Sequence, residues 1–135
     1  MFLYILVIEI KEGFNMTKIN YKDRLLMEKA IYYPLLLSVL EYDRKVKEVS
    51  NFKIKTVYLN LIENTMNLVQ RELKKVNDQL RKGNMKVQRE LNDGLFTEYN
   101  FYHKGYFEVH RYYNANLRNN TERLLGEFLH KGRES

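Results

Sequence analysis

The chain has no cysteine and no tryptophan, one proline and six glycines among 135 residues. Without cysteine there is no disulfide framework, no thiolate metal site or iron-sulfur cluster and no cysteine nucleophile, and the redox compartment stays open. The glycines stand apart at 13, 83, 94, 105, 126 and 132, so neither a phosphate-binding loop nor a dinucleotide fingerprint can be written. Serine occurs only at 38, 50 and 135, never within a nucleophile elbow. No stretch reaches the roughly 18 apolar residues that a membrane helix requires. What is present, 44% hydrophobic and 30% charged residues, fits one compact domain with a modest core and excludes a disordered or collagen-like chain.

Met1 to Ile10, MFLYILVIEI, is apolar but lacks the positive n-region and small-residue cleavage site of a signal peptide. It reads either as a short buried strand or as a non-native upstream extension. The second reading comes from the codons, because Lys11-Glu12-Gly13 can be spelled by a purine-rich bacterial ribosome-binding site suitably spaced from an ATG at Met16. Residues 16–135 are then a single domain. The expected setting is the bacterial cytoplasm, with no membrane contact.

Asn20 followed by Asp23 forms a helix start, and Leu25, Leu26, Tyr32, Leu36, Val39, Leu40 and Val46 recur at helical spacing, predicting a helix from about Tyr21 to Val49. Pro34 removes an N–H and crowds the preceding turn, which predicts a kink or restart near Tyr33. Ala30 to Tyr42 is apolar almost all round and marks the centre of the core. After Ser50-Asn51, Leu59, Ile62, Met66, Val69, Leu73, Val76 and Leu80 make a heptad seam that ends at Lys82-Gly83. The short connection predicts an antiparallel hairpin, with a dimeric coiled coil as the alternative use of the seam.

Two turns of one form follow, Asn92-Asp93-Gly94 and His103-Lys104-Gly105, each with glycine third. Closed as three-residue loops, they pair Phe101 with Phe107, Tyr99 with Val109 and Glu98 with His110 across one hairpin, and Val87 with Tyr99 and Met85 with Phe101 across the other. Met85, Val87, Leu91, Leu95, Tyr99, Phe101, Phe107, Val109 and Tyr113 then share the core face. Asn114 or Asn116 starts a last helix, with Leu117, Leu124, Leu125, Phe128 and Leu129 inward and Gly132 at its end. The expected fold class is α+β: a long antiparallel helical hairpin, a three-stranded antiparallel β-meander and a C-terminal helix. The alternative is an all-α bundle, because residues 95–117 also repeat by threes and fours, but that helix must carry Gly105 inside at about 1 kcal/mol.

No catalytic residues, cofactor or metal site are expected. His103, His110 and His130 fall in a turn, on the outer sheet face and at a helix end, which does not assemble a ligand set. Glu98 opposite His110 reads as a cross-strand ion pair before it reads as a proton-transfer pair. The outer face presents Phe96, Tyr102, Tyr106 and Tyr112 among Lys86, Gln88, Asn100 and His110, a surface for a protein partner or for stacking unpaired bases. Glu90, Glu98 and Glu108 on the same face weigh against a phosphate backbone. Residues 51–83 hold seven cations against three acids. There Arg71, Lys74, Lys75, Arg81 and Lys82 form a small basic patch able to contact phosphates. The leading expectation is a non-enzymatic protein-interaction or regulatory module, binding an unidentified protein or itself as a homodimer. The alternative is a nucleic-acid-binding regulator that uses the basic helix end or the aromatic face.

Overall fold

The computed structural model describes residues 18–51 and 53–134, and the two readings of residues 1–15 fall outside that range. Its elements are α1 (Tyr21–Glu48), α2 (Lys55–Lys82), β1 (Met85–Asn92), β2 (Phe96–His103), β3 (Tyr106–Tyr113) and α3 (Asn114–Glu134). The fold is α+β, with two long helices and a C-terminal helix packed on one face of a three-stranded antiparallel meander. None of the described helices is long and apolar enough to cross a membrane.

α1 begins where Asn20 Oδ1 accepts the Asp23 N–H at 2.9 Å, satisfying one of the amides that a helix start leaves open. The helix does not restart at Pro34 but runs through it. Pro34 is exposed, so the carbonyl deprived of its amide can turn to water, and Ser38 Oγ donates to the Pro34 carbonyl at 3.1 Å. Ile31, Tyr32, Tyr33, Leu36 and Leu40 are buried, as the core reading of this stretch expects, whereas Tyr42 lies in solvent. α2 returns antiparallel: Lys47 reaches Tyr58 near the tip, and Ala30 and Pro34 share a surface with Leu73 and Leu80. The seam residues Ile62, Val69, Val76 and Leu80 are buried inside this one chain. Each contributes about 1.5–3 kcal/mol.

α3 packs back across both helices, with Leu117, Leu124 and Phe128 buried and Phe128 set edge-on to Tyr33 at 5.6 Å. It does not stop at Gly132, which is helical and buried. A Cβ there would run into the Thr65 side chain, so this glycine is the close approach of α3 to α2 rather than a terminator.

The sheet corrects the predicted register. Asn92 Oδ1 accepts from Gly94 N at 2.9 Å, and Asp93 Oδ1 accepts from Leu95 N at 2.9 Å and Phe96 N at 2.8 Å, which builds the first turn. Val87 pairs with Phe101 rather than Tyr99, a slip of two that leaves both side chains on their expected face. A bulge between Arg89 and Leu91 then carries Leu91 outward. The second turn has two residues, Lys104 (φ 50°) and Gly105 (φ 100°), as the twist of a tight hairpin demands. It pairs Tyr99 with His110 and Phe101 with Glu108, one residue from the expected register. That single step turns β3 over: Phe107, Val109 and Tyr113 face out, and Glu108, His110 and Tyr112 face the helices. Glu98 is opposite Arg111, not His110.

Candidate functional site

The inverted β3 brings polar groups into the interior, and α1 carries their partners. Arg24 and Glu28, one helical turn apart, are 1% and 0% exposed. Their side chains meet at 3.3 Å. Arg24 Nη1 lies 2.7 Å from His110 Nδ1, and His110 Nε2 lies 2.8 Å from Glu108 Oε1. Arg24 Nη1 also lies 3.1 Å from Nε2, and since Arg24 can only donate and Glu108 only accept, the tautomer that serves the two shorter contacts has Nδ1 accepting and Nε2 protonated. Tyr112 donates to Glu28 Oε1 at 2.5 Å. Phe101 stacks on His110 at 4.2 Å, with the Arg24 guanidinium 5.2 Å from the Phe101 centroid. Beside this network, His103 Nε2 lies 2.9 Å from Asp23 Oδ2, joining β2 to the start of α1.

Burial and then the Arg24 charge push His110 down to about 4, against the opposing pull of Glu108. Burial raises the Tyr112 phenol well above its ordinary value, with the Glu28 carboxylate reinforcing it. The His103 hydrogen bond lowers Asp23. The bonds of Arg24 to His110 and of Glu28 to Tyr112 tie α1 to β3. Among the described residues no three His, Asp or Glu side chains are grouped to hold a metal ion.

Of the proposed stacking surface, Phe96 and Tyr102 do lie on the outer face. Tyr112 does not: it is 1% exposed and points at Glu28, because the two-residue turn reverses β3. Tyr106 is on the inner side at the strand end, half exposed and edge-on to His103 at 5.6 Å. The residues missed are Leu91, Phe107, Val109 and Tyr113, all at least 42% exposed. Phe96 sits 5.4 Å from Tyr113 and Tyr102 5.8 Å from Phe107, two aromatic pairs across β2 and β3. Glu108, expected outside, is inside. The outward charges on the paired positions are Lys86, Glu98 and Arg111, with Arg111 Nε 3.6 Å from Glu98.

Arg71, Lys74, Lys75, Arg81 and Lys82 are all exposed on α2. Lys75 pairs with Glu72 at 3.4 Å and Arg81 with Asp78. The other three form no ion pair among the described residues. A separate chamber of about 550 Å³ lies between α1, α3 and the inner face of β1 and β2. None of the buried network lines it.

A model of the family described as YhjD protein matches residues 18–133. Over 104 residues the chain is 33% identical to an uncharacterized protein, YhjD, of Bacillus subtilis strain 168, covering 77% of this chain and 87% of that protein. No solved structure matches.

Proposed function

The chain belongs to the YhjD protein family, and we propose that it is a small non-enzymatic interaction module that self-associates through the outer face of its sheet. The observation that carries this reading is the outward row Leu91, Phe107, Val109 and Tyr113, apolar surface that no described element covers. The charges among these residues, Lys86, Glu98 and Arg111, are of both signs, so two copies of the face are not driven apart. The non-enzymatic part is supported by the burial of the Arg24, Glu28, His110 and Tyr112 cluster, whose side chains are at most 2% exposed and do not line the open chamber. Residence in the cytoplasm is part of the proposal, and cell fractionation tests it.

Magnitude decides what kind of association this is. Three strands of eight residues cover roughly 26 Å by 14 Å, a footprint of about 400 Å² per copy. A standard interface buries about 800 Å² per partner. The contact is therefore weak and exchangeable, with micromolar or weaker affinity, as suits regulation by concentration. Sedimentation equilibrium from micromolar to millimolar protein should show the mass rising toward twice the monomer. Val109→Lys, at an exposed position, should hold it at the monomer. A wild type that stays monomeric throughout, or a Val109→Lys variant that associates as well, refutes the reading.

A nucleic-acid role keeps one specific observation in its favour, the exposed Arg71, Lys74 and Lys82, which form no ion pair among the described residues. Base stacking on the sheet is disfavoured, since Arg111 lies 4.3 Å over Phe96 and Lys86 5.9 Å over Tyr102, occupying ring faces that a base would need. Helix contact with phosphates predicts salt-dependent anisotropy with labelled DNA that Lys74→Glu with Lys75→Glu abolishes. No binding at low salt removes this reading.

A further inference from the structure

On the side of the sheet opposite the association surface, α1, β1–β2 and α3 diverge and leave the chamber of about 550 Å³. Its volume lies within the range of sites that enclose small molecules. Leu35 and Val39 of α1 form one wall, Leu117 and Leu125 of α3 the other, and Thr97 and Tyr99 of β2 the floor. Two cations from different elements join this lining, Arg89 of β1 and Arg118 of α3. Both are exposed, which sets them at the solvent side, and neither forms an ion pair among the described residues. Glu122, one turn beyond Arg118, also lines the chamber and pairs with neither arginine.

We propose that this chamber binds a small amphipathic monocarboxylate of the medium-chain fatty-acid type, its tail between the leucine walls and its carboxylate held by Arg89 and Arg118. Apolar walls require an apolar body, and an arginine fork is matched to a carboxylate. Two arginines against one glutamate leave a single positive charge, which a monoanion balances and a dianion or cation does not. The site goes beyond the sheet-face reading and does not depend on it, because the two surfaces lie on opposite sides of the sheet.

Isothermal titration calorimetry below micelle-forming concentrations separates the contributions, using octanoate, octanol and octylammonium as probes. Octanoate should bind one per chain, octanol at least about tenfold more weakly, and octylammonium not at all. Arg89→Gln with Arg118→Gln, at two exposed positions, should reduce octanoate to the octanol level and leave octanol unchanged. Glu122→Gln should strengthen octanoate. Val39→Trp, which fills the chamber from α1, should abolish binding of both, whereas Val109→Lys on the other face should change neither. Failure of octanoate to bind at millimolar concentration, equal affinity for octanol, or indifference to the double arginine variant overturns the proposal.

Discussion

A histidine only 2% exposed beside an arginine has to be neutral, and neutrality in the fold carries a penalty in acid. In the unfolded chain His110 takes up a proton as pH falls through about 6.5, whereas in the folded protein it resists until about 4. Across that window the unfolded state binds more protons, so stability falls as pH is lowered. The loss approaches about 3 kcal/mol at pH 4, and below pH 4 this group adds nothing further. Asp23 works in the same direction at lower pH, since its lowered value stabilises the fold above the ordinary carboxylate range and is lost on protonation. Urea midpoints between pH 7 and 4 should therefore fall steeply for the wild type and markedly less for His110→Gln. A wild-type midpoint flat from pH 6.5 to 4.5 would show that His110 is not held neutral. Little of this was readable beforehand. The sequence sets Arg24 and Glu28 one turn apart, but charged residues at that spacing usually lie in solvent and do not stand out, and their burial depends on what β3 turns toward them.

Two glycines of α3 behave oppositely because of what faces them. A Cβ at Gly126 meets nothing within 4 Å, so Gly126→Ala removes only the entropic weakness of glycine and should stabilise by about 0.5–1 kcal/mol. At Gly132 a Cβ meets Thr65, whose Cα would lie at 3.4 Å and whose hydroxyl is already bonded to the Leu61 carbonyl at 2.7 Å. That neighbour cannot give way cheaply, and Gly132→Ala should destabilise by about 1–3 kcal/mol. Thermal unfolding of the two variants checks the signs, and a stabilising Gly132→Ala would mean that α3 does not approach α2 closely. The helices were legible because seven apolar residues at threes and fours leave little freedom, as in Leu59 through Leu80. The strands were legible as strands, and β1 and β2 kept their faces apart from Leu91 because a slip of two preserves alternation. β3 was not. Phe107, Val109 and Tyr113 are the more apolar alternate set, so hydrophobicity alone sends them inward. The deciding information is the two-residue turn at Lys104-Gly105, where lysine is an uncommon occupant of a left-handed position. Both the buried network and the outer aromatic pairs were hidden by that one residue of register.

At the scale of the whole molecule, the described residues form one layer of helices on one layer of sheet, and the two sides of the sheet differ in character. The inner side is divided between the polar network at the His110 end and the chamber lined by Tyr99 and Leu117. The outer side, which no described element covers, carries the apolar row on which the proposed association rests. The register of β3 determines which residues reach which side, and so matters more than any single contact. Residue-resolved hydroxyl-radical oxidation, read by mass spectrometry on the wild type at dilution well below self-association, tests it directly. Phe107 and Tyr113 should be modified rapidly, with His110 and Tyr112 protected until the protein unfolds. Protected Phe107 and Tyr113 beside readily oxidised His110 and Tyr112 would contradict it, and with it both the buried network and the interaction face.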